Sequence, residues 1–95
     1  MRIISRRALR EFAERHPQAK GSLDAWYHTA RHANWDSLVD VKAVYRHADL
    51  VGELTVFNIS GNHYRLSVLI LYKRKTIYIK KVETHSEYDK KGKKR

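Results

Sequence analysis

The chain has 95 residues, enough for one small domain around one compact core. Hydrophobic residues make up 42% of it, and a core of that size leaves no room for a large enclosed cavity. Twenty Lys and Arg against ten Asp and Glu give a formal charge of +10, which points to a polyanionic partner, while the absence of Cys excludes disulfides and thiolate metal sites.

The charge is uneven. Residues 1–62 carry nine basic and seven acidic side chains, and residues 63–95 carry eleven and three. No stretch reaches the ~18 apolar residues that a membrane-spanning helix needs. No apolar run follows the first charges, so no secretory leader is expected. These features predict a cytoplasmic protein with no membrane partner.

In chain order, Arg2-Ile-Ile4 predicts a short strand and Ser5 an N-cap. Ala8, Leu9, Phe12, Ala13 and His16 then recur at helical spacing until Pro17 interrupts them. A second helix is predicted from Gln18 to Ala33, with Leu23, Trp26, Tyr27 and Ala30 as its apolar stripe. The segment Trp35 to Leu50 is less regular, with a helical turn at Asp36–Leu38 and an extended or helical piece at Lys42–Tyr45.

The period then changes. Leu54–Ile59 reads as a strand, Ser60-Gly61-Asn62 as a turn, and His63–Tyr72 as the strongest strand. Lys73-Arg74-Lys75 makes a basic turn, and Thr76–Val82 the next strand. Thr84 is placed to cap a short helix holding His85 and Tyr88. The outline is α+β: two N-terminal helices on one face of a three-stranded antiparallel meander, then a short helix. One domain is expected over residues 1–89, with a basic tail at 90–95.

On the middle strand Tyr64, Leu66, Val68, Ile70 and Tyr72 share one face, which should be core, and Arg65 stands on the other. On spacing alone, a surface arginine paired to a carboxylate is the plainer account of Arg65. His85 and Tyr88 share a helix face, and an imidazole moves protons near neutral pH. A core-anchoring Tyr88 and a solvated His85 would explain the same residues. His28 and His32 are i, i+4, but no acidic residue between them completes a metalloprotease pattern, so no metal or cofactor is expected. Lys73, Arg74, Lys75, Lys80 and Lys81 interleave with Tyr72 and Tyr78, a mixture that suits a nucleic-acid backbone with stacked bases.

Two ordered motifs go further. Phe57-Asn-Ile-Ser-Gly-Asn-His-Tyr-Arg-Leu66 and Tyr78-Ile-Lys-Lys-Val-Glu-Thr-His-Ser-Glu-Tyr-Asp89 resemble the HigB branch of the RelE-like toxins, with its "FN-x-x-GN-x-YRL" strand pair and terminal "TH-x-EYD". The resemblance extends over nearly the whole chain. It implies a small twisted, mainly antiparallel sheet with two N-terminal helices on one side. It implies a type II toxin that cleaves mRNA, usually in the ribosomal A site. Its partners would be mRNA, the ribosome and a HigA-like helix-turn-helix antitoxin, with operator DNA reached only through the antitoxin complex. Carried over by position, Arg65 matches the phosphate-binding arginine, and His85 and Tyr88 match the terminal catalytic segment. Tyr88 stays open between a structural and a catalytic hydroxyl. Lys42, Asn58, Asn62, Lys80 and Lys81 are weaker matches that could equally position RNA or build the fold.

RNA carries its own nucleophile, the 2′-OH, so cations and one or two proton-transfer groups suffice for cleavage. The products would be a 2′,3′-cyclic phosphate and a 5′-hydroxyl. The alternative is a non-catalytic RNA- or ribosome-binding module. A DNA-binding repressor lacks its basic recognition helix here, and a small-molecule enzyme lacks a cofactor motif.

Overall fold

The structure, a computed structural model, describes residues 1–92, and of 90–92 the backbone only. The basic tail expected at 90–95 otherwise lies outside the described residues.

The chain runs β1 (Arg2–Ile4), α1 (Arg7–Arg15), a 3₁₀ turn (Pro17–Ala19), α2 (Lys20–His32), α3 (Leu38–Val44), β2 (Asp49–Val51), β3 (Leu54–Ile59), β4 (Tyr64–Leu71), β5 (Thr76–Thr84) and α4 (His85–Gly92). The fold is α+β, as the sequence predicts. The meander of β3, β4 and β5 is antiparallel, but it is the centre of a five-stranded sheet ordered β1-β5-β4-β3-β2. β1 lies parallel to β5, which makes the sheet mixed. β2 was not foreseen: three residues, all exposed, give no alternation to detect.

Ser5 is not a side-chain cap. Its φ of +72° turns the chain out of β1, its carbonyl accepts the Ala8 N–H, and Arg6 occupies the cap position. The 35–50 segment holds one helix, α3, and the start of β2; the Asp40 carboxylate accepts the Asp36 N–H and so closes the helix's first turn.

The apolar stripes of α1 and α2 cover one face of the sheet. Leu9 and Phe12 from α1 and Leu23, Trp26 and Ala30 from α2 are buried with Phe57, Leu66, Val68, Ile77 and Ile79 from the strands. Aromatic edges fix the layers against one another: Trp26 meets Phe57 at 5.4 Å, and Phe12 meets Tyr64 at 5.4 Å. The other face carries no helix from the N-terminal pair, and the site lies there.

Candidate active site

Cross-strand register decides which polar side chains share the open face. Asn58 and Glu83 flank Arg65 as its partners on β3 and β5, and Val56 and Lys81 flank Ser67 in the same way. A β-bulge makes this arrangement. Val68 pairs with Ile79 but Ser67 with Lys81, so Lys80 is the extra residue. Strict alternation would send Lys81 after Ile77 and Ile79 into the core. The bulge reverses the phase, turning Lys81 and Glu83 to the open face and Val82 to the core. Lys80 is left exposed, its ammonium 5.7 Å from the Tyr78 ring.

α4 then folds back over this end of the sheet. Thr84 and Glu87 form a reciprocal capping box: the Thr84 N–H donates to Glu87 Oε1 at 3.0 Å, and the Glu87 N–H to Thr84 Oγ1 at 3.1 Å. The backbone bond holds the Glu87 carboxyl below its ordinary range. The His85 N–H donates to the His63 carbonyl at 2.8 Å, tying the helix to the β3–β4 hairpin. The hairpin is pinned in turn by the Ser60 hydroxyl, which donates to Ser22 Oγ on α2 at 2.7 Å. The Ser60-Gly61 turn has φ near +53° and +65°, as its turn composition implies.

These anchors bring Arg65, His85, Tyr88 and Asn62 together. Arg65 is only 9% exposed. Its Nη2 donates to Asn62 Oδ1 at 2.9 Å and to His85 Nδ1 at 3.0 Å, and its Nη1 lies 3.3 Å from the Tyr64 carbonyl and 3.4 Å from the Asn62 carbonyl. Its guanidinium carbon is 5.7 Å from the Tyr88 ring centre. On its far side His85 Nε2 meets Asp89 Oδ2 at 2.8 Å.

The proton positions follow from the donor inventory. A guanidinium has donors only and stays charged, so Nδ1 must accept. The ring is then the neutral tautomer with its proton on Nε2, donated to Asp89. Asp89 orients the ring and would stabilise an imidazolium. Arg65 occupies the lone pair that could take a proton. An anion that drew the guanidinium off Nδ1 would expose that lone pair.

Beside this cluster lies an open cleft of about 710 Å³, lined among others by Asp49, Val56, Ser67, Lys81, Glu83 and Tyr88. Asn58 stands across from Arg65. Lys80 sits at the bulge and also lines this cleft, while Lys42 is on the exposed side of α3. Lys73 and Arg74 follow the opposite end of β4, roughly 20 Å along the strand from Arg65. They form a separate basic corner. Lys75 is turned inward there, its ammonium bonded to the Trp35 carbonyl and the Asp36 carboxylate. His32 is committed to the His28 carbonyl at 2.9 Å.

Sequence reasoning missed two carboxylates. Asp89 follows His85 by four residues on a helix, a spacing that could have found it. Glu83, 7% exposed on the open face, could not have been found, because its facing depends on the bulge.

The sequence profile of the HigB toxin family, described as the RelE-like toxic component of a toxin-antitoxin system, matches residues 19–91. The chain is 34% identical over 92 residues to the mRNA interferase toxin HigB of Escherichia coli, covering 94% of this chain and 88% of that one. The mRNA interferase HigB of Shigella flexneri matches to the same extent. A more distant mRNA interferase HigB from another Escherichia coli strain is 24% identical over 93 residues, covering 95% of this chain and 90% of its own. The chain therefore belongs to the HigB family of RelE-like toxins.

Proposed function

We propose that this chain is a metal-independent endoribonuclease that cuts messenger RNA on the translating ribosome, and that it acts in the cytoplasm. A cognate HigA-like helix-turn-helix antitoxin restrains it, and operator DNA is contacted only through that complex. The observation that carries this reading is the buried Arg65, held between Asn62 and His85, with Asp89 behind the imidazole. Such a line supplies a fixed cation for phosphate and a base oriented by a carboxylate.

These groups, with Tyr88 beside them, suffice for the bond changes. The scissile phosphate draws Arg65 from Nδ1, and the freed Nδ1 takes the proton of the 2′-OH. The 2′-oxygen attacks phosphorus, and Arg65 stabilises the charge that develops on the phosphorane oxygens. The P–O5′ bond breaks, and the 5′-oxygen takes a proton from the Tyr88 hydroxyl or from the imidazolium. A 2′,3′-cyclic phosphate and a 5′-hydroxyl result. Lys81 and Asn58, on the same face as Arg65, position the strand; Lys73 and Arg74, at the far corner, dock on ribosomal RNA. The ribosome supplies the alignment that a shallow open cleft cannot.

The test is regulated expression in growing bacteria, with mRNA 5′-ends mapped within minutes. New 5′-hydroxyl ends inside translated frames, absent with His85→Ala, are the expected result. Growth arrest without new ends would leave a binding module and overturn the nuclease.

A further inference from the structure

A second cleft, about 630 Å³, adjoins the site on the side away from α4 and is lined by Val44, Arg46, His47, Asn58 and Asn62, among others. We propose that it is a second nucleotide subsite, which holds the residue flanking the scissile phosphate. The proposal rests on the nuclease reading above and adds where the strand continues.

The turn that builds the cleft is fixed by its ends. Tyr45 packs against Phe57 at 5.2 Å and Trp35 at 6.4 Å, its phenol pushed up by burial. Ala48 is buried, and its N–H donates to the Tyr45 carbonyl at 2.9 Å. With both ends anchored in the core, Arg46 and His47 are forced outward, and both are exposed. Among the described residues their side chains make no hydrogen bond or ion pair, and neither does the half-buried amide of Asn58.

The cleft is continuous with the catalytic cluster. Asn62 lines it and accepts from Arg65 through Oδ1, and among the described residues its amide N–H₂ has no partner. Asn58 faces Arg65 across the sheet. The chemistry on offer is that of a single-stranded nucleotide: a guanidinium for a phosphate, an imidazole and the exposed Val44 for a base face, and two amides for a base edge. Arg46 brings a positive charge to the cleft and no acidic residue lines it, so a polyanionic RNA strand is the better fit. Lys81 and Tyr88 line the other cleft, and Arg65 lies between the two, so a strand would cross the open face past it.

The experiment measures binding of RNA oligomers made uncleavable by one 2′-deoxy residue at the cut position, lengthened one nucleotide at a time on either side. Fluorescence anisotropy compares the wild type with R46A/H47A; both positions are exposed, and a thermal melt confirms the fold. Wild type should gain affinity when one particular flank is extended. The double variant should lose roughly tenfold on the extended oligomer and nothing on the short one. Equal loss on both oligomers, no loss, or lost antitoxin binding with RNA binding unchanged would overturn the subsite. If wild type cleaves ribosome-bound mRNA normally through any of these failures, the nuclease reading survives; if it neither binds nor cleaves RNA, both fall.

Discussion

Replacing Asp89 with Asn tests the proton logic of the cluster. The carboxylate oxygen lies 2.8 Å from Nε2, and both side chains are a little under half exposed. Taking ~4 Å between charge centres, the attraction to an imidazolium is ~1 kcal/mol in water and ~4 kcal/mol at an effective dielectric near 20. Partial exposure places this pair low in that range, at about 1–2 kcal/mol. If the imidazolium forms in the rate-limiting step, kcat falls roughly five- to thirtyfold. Asn can also present its N–H₂ to Nε2, which favours the tautomer whose Nδ1–H would face Arg65, so the upper part of the range is the better expectation. Single-turnover cleavage on programmed ribosomes gives the rate, and titration of the same complexes gives the affinity. The rate should fall with binding within twofold. An unchanged rate, or a loss wholly in affinity, would refute the role of Asp89.

Other outcomes follow from the same structure. Arg65→Lys replaces a planar fork with a point charge that cannot meet Asn62, His85 and a phosphate together, so kcat should drop by about 100-fold or more in the same assay. Leu66→Ala empties a fully buried position at the centre of the sheet and should cost ~2–5 kcal/mol in a denaturant titration. Thr84→Ala removes the hydroxyl from the capping box; ~1 kcal/mol of helix stability goes with it, and activity should fall while the sheet core melts almost normally. The Glu87 carboxyl is depressed from its ordinary value of 4.5, so its contribution to the cap is complete above that value and lost as pH falls through the lower folded value. The α4 signal in an NMR acid titration should therefore fade below pH 4.5, and Glu87→Gln should remove that dependence.

Local pattern carried much of the fold. The stripe Leu23-Trp26-Tyr27-Ala30 and the alternation along β4 are burial written at the period of a helix and of a strand, and both elements form where those periods lie. β2 and the parallel pairing of β1 with β5 were not legible. They depend on which backbone lies beside which, and three-residue strands have too few side chains to show a period. Within the site, Arg65, His85 and Tyr88 were named from the sequence, and the fold brings them together. The depth of Arg65 was not foreseen: an arginine on a strand's polar face reads as exposed until α4 folds over it. Lys73 and Arg74 belong to the basic stretch that the sequence shows, but their separation from Arg65 is set by the length of β4 between them.

The most direct test is a ribosome-bound message with a single 2′-deoxy substitution at the cleaved nucleotide, compared with its all-ribose twin for wild type and His85→Ala. Wild type should cut only the all-ribose message, leaving a 2′,3′-cyclic phosphate and a 5′-hydroxyl, and the variant should cut neither. Equal cleavage of the deoxy-substituted message would mean that the 2′-oxygen is not the nucleophile, and the roles given to Arg65 and His85 would be wrong.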